Sequence, residues 1–349
     1  MPQINSTNPA THDAHGETHH PTLYLPTGDV VLSATTARKA RLFFRIHIFM
    51  LARQSPVFQD MFTFVGQNDL YEDTPHIHME DNARDLEGLL QVLYDPTVLP
   101  YKHHDPNTPV RVLGVLKLAT KYQFDTLRER IVNHFQADWP RTLYEWDASE
   151  ALVEVMDGQV EAGGPYLDDM MPEPGAAIQL ARQCDIPQIL PAAFYHLSRL
   201  SMKQDWDECR NGGEASVYLV SSERTARWYL LSREDFRCLL AGREALHQFV
   251  LESPQLRIIE PSQHCLFPAN CRHRRVDVWK MLEVDYLKGT DPLGTLRKYC
   301  ASKYSDKGFK ELCAECYQDI RAQLREVRVK LWNRLPEFFS LSEVHNLHS

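Results

Sequence analysis

Between residues 29 and 135 the hydrophobic positions change period several times, and each change predicts an element. Asp29-Val30-Val31-Leu32 and Leu42-Phe43-Phe44-Arg45-Ile46 read as paired strands, with the polar run from Ala34 to Arg41 as the turn between them. Phe44 and Ile46 share one face of the second strand. The pattern then turns helical, with Leu51 on the buried side. Ser55 followed by Pro56 is an N-cap and first-position pair that starts a second helix, on which Phe58, Met61 and Phe62 fall at helical spacing. His76-Ile77-His78-Met79 predicts a third strand. Asp85 to Tyr94 carries Leu86, Leu89, Leu90 and Leu93 on one helical stripe. A loop broken by Pro96, Pro100, Pro106 and Pro109 precedes two more helices, Val112 to Tyr122 and Phe124 to Phe135.

Beyond residue 137 the pattern is mainly helical. From Arg141 to Glu173 nine acidic residues meet one Arg, and Gly163, Gly164, Pro172 and Pro174 interrupt the run. A short helix over Glu150 to Met156 within a mobile acidic linker, residues 138–174, is the expectation. Residues 175 to 205 predict two helices. More helix follows around 214 to 260, with Phe236, Leu239 and Leu240 near Leu246, Phe249 and Val250, and again from Val276 to the end. The fold class expected is therefore α+β: a small sheet with helical hairpins over 23–137, then an all-α region over 175–349.

The order strand, helix, capped restart, helix carries a signature. Phe44, Ile46, His47, Leu51, Ser55, Phe58, Met61 and Phe62 fall at the spacing apolar-x-apolar-His-x-x-x-Leu-x-x-x-Ser-x-x-Phe-x-x-Met-Phe, which resembles the BTB/POZ domain. Leu89-Leu90-x-x-Leu93-Tyr94 and Leu118-Ala119-x-Lys121-Tyr122-x-Phe124-x-x-Leu127 echo its later helices. The long, proline-rich loop from Asp95 to Pro109 departs from compact BTB domains. It resembles insertions in the large BTB families of mushroom-forming fungi. The helical pair after residue 175 looks like the start of a BACK-type extension. The resemblance implies a protein-binding module that self-associates through the elements around the signature. It also allows an adaptor for a cullin-type ubiquitin ligase, or a role in transcription. It assigns His47 to packing and polar contacts, with no catalytic residue.

Composition narrows this further. Net charge is −9, which argues against a protein that coats nucleic acid. No run of 18 apolar residues marks a membrane span, and residues 1–22 have neither the apolar core of a signal peptide nor a hydrophobic period. The expectation is a cytoplasmic or nuclear protein, with a disordered tail in which His12, His15, His19 and His20 are solvated. In that setting the eight cysteines are thiols or metal ligands. G-x-S-x-G, P-loop, G-x-G-x-x-G and H-E-x-x-H patterns are absent, so no enzyme chemistry is expected. His76 and His78 share a strand face, and without a third ligand they read as strand-edge rings.

One arrangement has metal-like spacing. Cys265-x5-Cys271 lies in a loop containing proline, and Cys313-x2-Cys316 opens a helix. A C-x-x-C at a helix start puts two thiols on one side of the first turn, and a second pair completes a tetrahedral zinc site. His264 or His273 could replace one loop ligand. Packing of the same cysteines on a buried stripe competes with zinc and is slightly favoured, because the first spacing is wide and the pairs lie about 40 residues apart. A redox pair fits least, since no βαβ setting surrounds the motif. Cys313, Tyr317, Ile320, Leu324, Val327 and Leu331 run in steps of four and three, more suited to packing on the chain's own helices than to a short zipper. Arg272, His273, Arg274 and Arg275 lie within residues 270–335, where 15 Lys or Arg meet 9 Asp or Glu. A zinc-containing DNA-binding regulator is the alternative these residues raise. Attraction to the acidic linker, or a solvated face, explains the basic residues better.

Overall fold

The computed structural model describes residues 17–63, 69–99, 102–157, 165–253, 260–306 and 308–341. The chain divides into two units: Met1–His103 with Thr108–Phe135, and His104–Asn107 with Gln136–Ser349. His12, His15, Pro100, Gly163 and Gly164 lie outside the described residues.

The first unit is built on a five-stranded sheet in the order β1-β3-β2-β5-β4, where β1 is Glu17–Tyr24, β2 Val30–Thr35, β3 Arg41–Ile46, β4 Leu70–Tyr71 and β5 Thr74–Asn82. β2 and β3 are antiparallel, pairing Val30 with Ile46 and Leu32 with Phe44, while β2 and β5 are parallel. β2 is buried on both faces, which is why its sequence is a near-continuous apolar run. It also extends to Thr35, so the turn is shorter than the polar composition of 34–41 suggests. Its buried polar member, Ser33, bonds His76 at 2.9 Å and His78 at 3.0 Å.

The helices are α1 (Ile48–Ala52), α2 (Pro56–Thr63), α3 (Ala83–Tyr94), α4 (Thr108–Lys121) and α5 (Asp125–Ala137). Leu51, Phe58, Leu86, Leu89, Leu90, Val112, Leu116, Ile131 and Phe135 are buried, each from one face of its helix.

One expectation fails here. Residues 17–22 are not a solvated tail: they form most of β1, parallel to β3. His20 is buried, its Nδ1 accepting from the Leu23 N–H at 2.9 Å and its Nε2 lying 3.2 Å from Glu87. His19 stacks on Tyr24. This segment is too polar to read as a strand because side-chain contacts, not apolar alternation, hold it.

The second unit is helical: α6 (Leu143–Asp157), α7 (Pro174–Gln183), α8 (Leu190–Ser198), α9 (Trp206–Arg210), α10 (Val217–Val220), α11 (Arg233–Glu252), α12 (Pro268–Lys288), α13 (Pro292–Ala301), α14 (Ala314–Asn333) and α15 (Leu335–Phe338). The acidic segment is a second correction. It forms the full helix α6, anchored by buried Trp146, which lies edge-on to Tyr195 and under the Arg199 guanidinium. Its carboxylates bind arginines: Glu150 meets Arg199, Asp147 meets Arg328 and Glu154 meets Arg297. Further on, Asp168 is buried and accepts from Arg210, Arg224 and Thr225. Glu173 is buried as the N-cap of α7 and also accepts from Arg227. Among the described residues of this segment, most carboxylates are paired with arginines, and Asp168 and Glu173 are buried, rather than free in a solvated linker. Leu240 is exposed on α11, contrary to its expected place beside Leu246.

Candidate functional site

In the first unit the eight signature residues meet at the junction of β3, α1 and α2. Phe44, Ile46, Leu51 and Phe58 are fully buried, while Met61 and Phe62 are half-buried. Ser55 works twice: its Oγ accepts from the Phe58 N–H at 3.0 Å and donates to the Tyr122 carbonyl at 2.5 Å. One hydroxyl thus starts α2 and fastens it to the end of α4. Phe58 lies 4.7 Å from the Tyr122 ring and 5.8 Å from that of Phe124. His47 spans two elements, with its backbone N–H 2.8 Å and its Nδ1 2.9 Å from the Tyr94 hydroxyl, and its Nε2 3.2 Å from Thr27. The polar side-chain atoms of Ser55 and His47 thus each have a hydrogen-bond partner within the fold. A family model for the BTB/POZ domain matches residues 27–138. This segment is a BTB/POZ domain. No curated protein matches the chain.

A BTB/POZ domain is a protein–protein association module, and its surface here carries an apolar feature. Phe49, on α1 of the BTB domain, is 65 % exposed, although the neighbouring Leu51 is buried. Beside it a groove of about 540 Å³ is lined by Met50, Arg53, Val92, Leu93, Phe124 and Leu127, among others. Sequence periodicity assigns Leu127 to the core. It is only half-buried and forms part of this groove wall.

The second candidate is in the helical unit. Cys313 is the N-cap of α14, its Sγ accepting from the Cys316 N–H at 3.4 Å. Cys271 lies in the first turn of α12, not in a loop as its spacing suggests, and Cys265 precedes that helix. The four Sγ atoms lie within 4.8 Å of one another, with Cys265 and Cys313 separated by 3.7 Å. Backbone donors are aimed at them: the Cys313 N–H at Cys271 Sγ, 3.3 Å away, and the Ser262 N–H at Cys316 Sγ, 3.4 Å away. Asn270 bonds the Glu311 carbonyl and ties the start of α12 to the segment before α14.

The four thiols ionise unequally. Burial works against ionising Cys313, but the Cys316 N–H and the adjacent thiols bring it down to about 7. Cys265, Cys271 and Cys316 are pushed up, first by burial. One thiol ionises readily and its neighbours then resist, because like charges so close cannot coexist in a poorly solvated site. A divalent cation would lift that limit.

The basic cluster at the start of α12, Arg272 to Arg275, is engaged. Arg272 meets Glu260, Arg274 meets Asp277 and Glu311, and His273 faces Asp277. Arg275 is buried and holds Asp319 and Gln323. Among the described residues no helix is long and apolar enough to cross a membrane.

Proposed function

We propose that this chain is a protein-interaction protein whose BTB domain associates with itself through α1 and the adjoining groove, and whose helical unit carries one structural zinc ion. The observation that supports association is Phe49, a large apolar side chain left in solvent on a helix whose neighbouring Leu51 is in the core. The groove of Met50, Val92, Leu93 and Phe124 beside it gives a partner side chain a place to enter. Resemblance to other BTB proteins supports a further use as an adaptor, with the BTB domain on a cullin-type ubiquitin-ligase scaffold and the helical unit holding a second protein. Co-expression of tagged and untagged full chains tests the association. Recovery of the untagged chain with the tagged one supports it, and clean separation at micromolar concentration refutes it.

The zinc reading rests on the geometry of the sulfurs. A zinc ion with Zn–S bonds of about 2.3 Å in tetrahedral array has S···S edges of about 3.8 Å, against the 3.7 Å between Cys265 and Cys313. Packing as core thiols suits the site less well. Cys265 and Cys313 are half-exposed, and backbone N–H groups point at the sulfurs as they do at thiolates. Four protein ligands close the coordination shell, so the metal's role is to hold α12 and α14 together. Metal analysis of the purified chain tests this, with about one zinc per chain expected. A DNA-binding role gains no support, because Arg272, Arg274 and Arg275 each already meet a carboxylate.

A further inference from the structure

The four sulfurs are not equivalent. Cys271 and Cys316 are completely buried, and each accepts a backbone N–H. Cys265 and Cys313 are half-exposed, 3.7 Å apart, and form the edge of the cluster that faces solvent. Cys265 sits before α12, outside any regular element, so its sulfur can move without disturbing a helix. A separation of 3.7 Å is well beyond an S–S bond of about 2.05 Å, so the pair is close enough to bond but is not bonded.

From this asymmetry we infer that Cys265 and Cys313 form an oxidation site for hydrogen peroxide, which closes a disulfide and ejects the metal. The inference rests on the zinc reading. One thiolate of the outer pair attacks the peroxide; an S–O bond forms, the O–O bond breaks, and hydroxide leaves. The second thiolate attacks the resulting sulfenic acid, forming the S–S bond and releasing a second hydroxide. Two electrons pass from the sulfurs to the peroxide, and protons from solvent convert both hydroxides to water. With two of its four ligands gone, the zinc ion leaves, and Cys271 and Cys316 take up protons. The new disulfide joins residues 48 positions apart, so the start of α14 stays tethered to the segment before α12 after the metal departs. The alternative pairing, Cys313 with Cys316, would leave those segments untethered and would use a completely buried sulfur in place of the half-exposed Cys265.

The test treats the zinc-loaded full chain with hydrogen peroxide. Zinc release is followed with a chromophoric chelator, and disulfides are mapped by peptide mass spectrometry without reduction. The expected result is release of about one zinc per chain, appearance of a Cys265–Cys313 cross-link, and recovery of metal binding after reduction and addition of zinc. Cys300→Ser, which removes the half-exposed thiol outside the cluster, should leave release unchanged. Release accompanied by a Cys313–Cys316 disulfide, or no release under conditions that oxidise a free thiol, overturns this inference while leaving the zinc reading intact. A purified chain that carries no zinc and takes none up overturns both.

Discussion

Arg328 clamps Asp147 across 181 residues of sequence, placing its two terminal guanidinium nitrogens on the two carboxylate oxygens while its Nε donates to the Leu293 carbonyl at 3.0 Å. Three helices, α6, α13 and α14, are thereby fixed by one nearly buried side chain. Asp147→Ala leaves that guanidinium without its anion. Because one edge of the carboxylate reaches solvent, the expected cost is about 2–3 kcal/mol, below that of a fully buried pair. Denaturant unfolding of the full chain checks it, and Arg328→Met combined with Asp147→Leu should cost less than Asp147→Ala alone.

In the BTB domain, Phe58→Ala should cost about 3–5 kcal/mol as a large-to-small change in a tight aromatic cluster. Phe58 is fully buried against Tyr122 and Phe124. Ser55→Ala should cost about 1–2 kcal/mol through loss of the α2 cap and of the bond to the Tyr122 carbonyl. An unchanged melting temperature for Phe58→Ala would contradict the packing described.

Much of this unit is legible in the sequence because signature and fold share one cause. Phe44, Ile46, Leu51 and Phe58 are core residues at local spacings, and the Ser55-Pro56 pair announces its own helix start. What escaped detection depends on distant partners. β1 is held by His20 reaching Glu87 and by pairing with β3. Likewise, the acidity of α6 suggests solvent until Arg199, Arg297 and Arg328 arrive from elsewhere in the chain. For the four cysteines the spacing already offers Cys265-x5-Cys271 and Cys313-x2-Cys316 as one candidate set beside the packing alternative, and the fold places their sulfurs together.

Removing the metal should loosen the helical unit. A strong chelator should lower the stability of the region from Ser262 to Leu331 and leave the BTB domain unaffected, since residues 27–138 contain no cysteine. Cys313→Ser with Cys316→Ser should abolish both the metal and the chelator response. Zinc affinity should fall as pH drops through about 7, because protons then compete for the Cys313 thiolate and for its more reluctant neighbours. Metal content by emission spectroscopy, measured after dialysis at pH 8 and pH 6, checks the direction.

His196 gives a second, independent pH dependence. It is buried, and among the described residues neither ring nitrogen has a hydrogen-bond partner. Burial first, then Arg224 and Arg199, hold it well below the usual histidine range. The unfolded chain therefore binds a proton near pH 6.5 that the folded chain refuses. Stability is complete above that pH and declines as pH falls, by up to about 1.4 kcal/mol per pH unit. Urea midpoints at pH 7.5 and 5.5 should show a smaller drop for His196→Leu than for the parent chain.

Sedimentation of the full chain with Phe49 intact and with Phe49→Glu bears most directly on the proposed function. The parent chain should sediment as a dimer at micromolar concentration, and Phe49→Glu, which puts a charge on an already exposed position, should be a folded monomer with unchanged stability. A parent chain that remains monomeric at about 100 µM, where any self-association would be weaker than roughly 5.5 kcal/mol, contradicts association through this surface, as does a Phe49→Glu variant that dimerises as well as its parent.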